Sequence, residues 1–99
     1  MIRETAELRI RAGEDAAFVA AVGQAVEIFR AAKGCRSMRL ERVLETPGLY
    51  RLHVLWETLE DHTVAFRGSA GFTAWRALAG PFFAEPPGVD HSEVAVAGF

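Results

Sequence analysis

A chain of 99 residues, 51% hydrophobic and 24% charged, makes one domain over residues 1–99 and buries only about two thirds of its unfolded surface. Its formal net charge of -2, with Arg and Glu interspersed and no basic stripe, argues against nucleic acid or an anionic membrane as partners. The lone Cys35 has no internal disulfide partner, no apolar run reaches the roughly 18 residues of a membrane span, and the N-terminus lacks a signal peptide's apolar centre, so the chain reads as cytoplasmic.

From Ile2 to Ile10 the sequence alternates, with Ile2, Ala6, Leu8 and Ile10 on one face and Arg3, Thr5, Glu7 and Arg9 on the other, the period-2 pattern of a half-buried strand. Glu4 is the one exception. Gly13 breaks the strand, Glu14 and Asp15 suit the positive end of a helix dipole, and Phe18, Val22, Val26 and Phe29 recur at helical spacing until Lys33-Gly34. Met38, Leu40 and Leu44 then alternate with Arg39, Glu41 and Val43. A turn at "ETPG" leads into Tyr50, Leu52, Val54 and Trp56, alternating with Arg51, His53 and Leu55, so these two strands read as a hairpin.

A second helix is expected after Thr58, which can cap it with Asp61 returning the contact, and the helix breaks at Gly68-Ser69. The bend is expected to need a positive φ at Gly68. Ser69 can cap the resumed segment that carries Phe72 and Trp75. After "GPFFAEPPG", whose prolines and glycines forbid a helix, Val89 to Ala97 reads as a last strand. The order βαββαβ folds most simply as a ferredoxin-like α+β domain, a four-stranded antiparallel sheet with two helices on one face.

In this arrangement the broken helix closes half of the sheet, and its bend leaves a cavity beneath it. Leu59, His62 and Phe66 share the lid face of its first half. His62 is the candidate catalytic base, since a neutral imidazole there can take a proton from a phenol. Trp56 can stack on a flat substrate; Phe66, Phe72 and Trp75 can line its site; Arg67 and Arg76, flanking the bend, can hold an oxyanion; His91 can reach the rim. The alternative for the aromatics is packing alone. No His-x-His or Glu-x-x-His spacing supports a metal site. The other sheet face carries Arg3, Glu7, Arg9, Arg39, Glu41, Arg51 and His53 among Val43, Leu49 and Leu55, and without aromatics it does not read as an RNA-binding face.

The run from Leu49 to His91, "LYRLHVLWETLEDHTVAFRGSAGFTAWRALAGPFFAEPPGVDH", resembles the second half of an antibiotic biosynthesis monooxygenase domain, one of the dimeric α/β barrel families. The likeness lies in the Trp56-Glu57 strand end, the Thr58 cap, the acidic first turn, the Ser69-to-Phe72 segment and the Pro-rich approach to the last strand. It implies a homodimer with two sheets packed face to face and a pocket in each subunit. It also implies oxygenation of a small electron-rich aromatic molecule, such as a quinol or anthrone, by dioxygen with no metal or flavin. Many members carry a His where this chain has Ala65, which makes His62 a substitute shifted along the helix. The haem-degrading branch relies on an Asn, a His and a Trp, and this chain contains no Asn. The second expectation is a dimeric ligand-binding or accessory domain of the same fold without the chemistry.

Overall fold

A computed structural model describes all residues, Met1–Phe99. Strand β1 (Ile2–Arg9) is followed by helix α1 (Asp15–Arg30), strands β2 (Cys35–Arg42) and β3 (Leu49–Trp56), a π-helical turn (Asp61–Phe66), helix α2 (Ala70–Ala79), a 3-10 turn (Gly80–Phe82) and strand β4 (Gly88–Ser92). The four strands form one antiparallel sheet in the order β2-β3-β1-β4, the ferredoxin-like arrangement expected from the element order.

Alternation does in the sheet what it promised. Ala6 and Leu8 of β1 and Tyr50, Leu52, Val54 and Trp56 of β3 are buried beneath the helices, where they meet Phe18, Val22, Ala25 and Phe29 of α1. The rings interlock edge to face, Phe18 with Tyr50 at 5.2 Å and Phe29 with Trp75 at 5.2 Å between centroids. Asp15 in the first turn of α1 also accepts a hydrogen bond from the Tyr50 hydroxyl at 2.7 Å, tying the helix start to β3. On the outer face the charges pair across strands: Arg51 with Glu7 at 3.3 Å and His53 with Glu41 at 3.0 Å, while Thr5 bonds His53 at 3.2 Å.

Several expectations are corrected. The β2–β3 turn begins earlier, so Leu44 lies outside the strand and is 85% exposed. Strand β4 ends at Ser92 instead of running to Ala97; Ser92 already pairs with Arg3, and only two residues of chain precede Arg3 to pair with anything further. Gly68 does not have a positive φ; Gly13, Gly34 and Gly48 do. The lid bends by another device, a π-helical turn in which Arg67 N–H reaches back five residues to the His62 carbonyl at 3.1 Å. Leu59 consequently stays 40% exposed, outside the lid's inner face.

Both caps form. Asp61 N–H donates to Thr58 Oγ1 at 3.1 Å and Phe72 N–H to Ser69 Oγ at 3.2 Å. Asp61 does not return the contact to Thr58. Its buried carboxylate lies 3.9 Å from the Lys33 ammonium and against Gly34, where a Cβ would collide with it.

Candidate active site

The π-helical turn decides which side chains meet over the sheet. In an α-helix residues five apart diverge around the axis, whereas one extra residue in the turn brings His62 and Arg67 to the same hollow. This hollow is a cavity of about 190 Å³ between the sheet and the broken lid. Glu4, His62, Arg67 and Arg76 give its polar wall. Phe72 and Trp75 of α2, Leu8 and Leu52 of the sheet, and Phe83 and Val89 beyond α2 contribute apolar walls.

Glu4, the break in the alternation of β1, lies on the helix-facing side and is only 6% exposed. Register sets it opposite His91 of β4, and the neighbouring strand ends at Trp56, whose Nε1–H donates to Glu4 Oε1 at 3.0 Å. His62, 2% exposed, descends from the lid onto this pair. Its ring stacks on Trp56 at 5.3 Å between centroids with 18° between planes. Its Nε2 lies 3.3 Å from Glu4 Oε1 and its Nδ1 lies 2.7 Å from His91 Nε2. Glu4, His62 and His91 thus form a chain, each facing its neighbour, and do not converge on a common point as metal ligands do.

Burial, reinforced by the cationic Arg67 and by His91, pushes the His62 pKa down to about 4, so the imidazole is neutral at pH 7. Burial also raises the Glu4 pKa, against the Trp56 hydrogen bond and the Arg67 charge, which favour the carboxylate. A neutral imidazole has one donor and one acceptor nitrogen. One of the two imidazoles therefore donates across the His62 Nδ1–His91 Nε2 contact, and Trp56 Nε1–H is the donor to Glu4 Oε1, with His62 Nε2 lying 3.3 Å from the same oxygen.

Of the residues singled out in the sequence, His62, Arg67, Phe72, Trp75 and Arg76 border the cavity. Trp56 and Phe66 do not. Trp56 is fully covered by His62 and Phe66, and Phe66 is wedged among Phe29, Trp56 and Phe72. They support the site from behind. His91 touches the site through His62 and keeps partial exposure. Arg76 leans over the Phe72 ring, 5.9 Å from its centroid. Ala65 is exposed and lines a separate groove against the end of α1, so position 65 does not address this cavity. Glu4 is a polar wall residue absent from the sequence-derived candidates, although the sequence carries its signal: a charged side chain at a core position of an alternating strand.

An open ferredoxin-like sheet roofed by a broken helix, with a buried polar cluster under the break, defines a small α+β domain with a hollow between sheet and lid. The sequence profile of the antibiotic biosynthesis monooxygenase family matches residues 1–78, and the chain belongs to that family. It is 42% identical to the uncharacterized protein YczJ of Bacillus subtilis (strain 168) over 91 residues, 92% of this chain and 96% of that one. A crystal structure from Bordetella bronchiseptica, described as a candidate antibiotic biosynthesis monooxygenase, is 44% identical and superposes with a TM-score of 0.94 over 96% of this chain and 97% of that one. A Caulobacter crescentus CB15 structure described in the same way, 21% identical with a TM-score of 0.82 over 96% of this chain and 90% of that one, shares the fold.

Proposed function

We propose that the protein is a cofactor-independent monooxygenase of small electron-rich aromatic molecules, with quinols foremost, and that it works as a homodimer. The observation that carries this reading is the cavity itself, where a buried imidazole–carboxylate pair and two arginines meet apolar and aromatic walls. Such a wall can remove a phenolic proton and hold the resulting oxyanion out of water. A phenolate formed there is electron-rich enough to reduce dioxygen. In the balanced reaction the substrate supplies all the electrons, one oxygen atom enters the ring and the other leaves as water.

Size narrows the class. A cavity of about 190 Å³ lies below the ~300–1,000 Å³ of pockets for drug-sized ligands and favours a one- or two-ring quinol over a three-ring anthrone. Oxygen uptake by purified protein, followed with an electrode over benzoquinols, naphthoquinols and an anthrone, tests this reading. Uptake above the protein-free rate, greatest for the smaller quinols and unchanged by chelator, is the expected result. No uptake with any phenolic substrate would leave the fold as a ligand-binding domain.

A further inference from the structure

We infer that the substrate carries a carboxylate besides its phenolic hydroxyl, and that Arg76 is the residue that selects for it. The phenolic part rests on the monooxygenase reading, and the carboxylate rests on the charges of the cavity wall.

The charged lining of the hollow consists of Arg67, Arg76 and one carboxylate, Glu4. His62 adds no charge at pH 7, since burial holds its imidazole neutral. Glu4 accepts its hydrogen bond from Trp56 and makes no ion pair with either arginine. Elsewhere on the molecule Arg9, Arg11, Arg42 and Arg51 each have a carboxylate, carbonyl or hydroxyl partner, whereas Arg67 and Arg76 have none. Arg3, on the outer face of the sheet, is the other arginine without one. A neutral phenol does not correct the excess. Moving its proton onto a wall group, whichever group accepts it, leaves the total charge of cavity and ligand unchanged, with one cation too many. A negative charge fixed on the ligand matches that cation.

Position divides the two arginines. Arg67 follows the π-helical turn, and its charge is felt by both His62 and Glu4, so it belongs to the end of the cavity where the phenolic proton is lost. Arg76 sits on α2, over the Phe72 ring at 5.9 Å from its centroid. A cation–π contact occupies none of the five guanidinium N–H donors, so Arg76 keeps the fork that takes a carboxylate by two parallel hydrogen bonds. A one-ring phenolic acid spanning the hollow sets its hydroxyl toward His62 and Arg67, its ring against Phe72 and Trp75, and its carboxylate on Arg76. A phosphate monoester, with about two negative charges at pH 7, would reverse the excess instead of matching it.

The test is calorimetric titration of the intact protein with meta- and para-hydroxybenzoate, each compared with its neutral amide of nearly the same shape. At low salt the wild type is expected to bind an acid about tenfold or more tighter than its amide, the scale of one charge-assisted hydrogen bond, and added salt should reduce the preference. Arg76→Gln is expected to weaken the acid by about tenfold or more and to bring acid and amide within about threefold of each other. Equal binding of acid and amide by the wild type would overturn the inference, as would failure of both acids to bind. A preference that survives Arg76→Gln, or an equal loss of both ligands in that variant, would remove Arg76 from the role. Oxygen uptake is read apart from binding. Acid-selective binding with no uptake from any quinol would sink the monooxygenase reading and leave the anion site, whereas uptake from neutral quinols with no acid preference would overturn the anion site alone.

Discussion

Burying a neutral histidine fixes a sign for the acid side of the stability curve. Unfolded His62 takes up a proton near its ordinary pKa of 6.5, whereas in the folded chain it resists until about 4. The unfolded state therefore binds more protons in this window, and stability falls as pH drops from about 6.5 to 4, by an amount of order a few kcal/mol. Glu4 works in the opposite sense, because its raised pKa costs stability at neutral pH and the cost is relieved as the pH falls. His62→Gln should accordingly melt with a flatter acid limb than the parent in a series of thermal scans. Equal slopes would mean that His62 is not held neutral. In catalysis, His62→Ala should lower turnover about 100-fold or more, because it removes the imidazole from the polar wall of the cavity. Adding Ala65→His to that variant should not restore it, because position 65 opens onto the groove beside α1. Sequence spacing alone points the other way for position 65, since it counts turns of an α-helix that this segment does not make.

Among the elements, the π-helical turn does most to shape the site. Thr58, Asp61 and Ser69 announce a helix that stops and restarts, and the strand and helix periods announce βαββαβ, so the architecture was legible from residue types and spacing. An i to i+5 hydrogen bond leaves no comparable mark in residue type, which is why the bend was expected at Gly68 instead. Glu4 was legible only as an anomaly, because its partners Trp56, His62 and His91 come from three other elements and no local pattern links them. Deleting the exposed Val64 would remove the extra residue and turn Arg67 away from His62. We expect phenol binding to weaken about tenfold or more while the melting temperature changes little, as measured by fluorescence titration and calorimetry. Gly34 is the conformationally demanding glycine nearby, with φ of 75° and the Asp61 carboxylate where a Cβ would sit. Gly34→Ala should destabilise the fold by about 1 to 3 kcal/mol in urea unfolding, more than Gly68→Ala, whose Cβ would meet the Val64 carbonyl at 3.1 Å.

At the scale of the whole molecule, one face of the sheet is roofed by helices and the other carries paired, half-exposed charges around His53. A 99-residue chain has a thin core, and a second copy packed sheet to sheet is the economical way to cover that face. Light scattering at micromolar concentration should give the mass of two chains; a single-chain mass would remove the barrel and return the charged face to water. No helix is long and apolar enough to cross a membrane. Oxygen transfer is the central claim, and labelled dioxygen tests it most directly. Incubation of the protein with a small quinol under oxygen-18 gas should yield a hydroxylated quinone carrying one labelled atom, detected by mass spectrometry above the protein-free control. Product without label, or no product beyond the control for any quinol in the panel, would contradict the account.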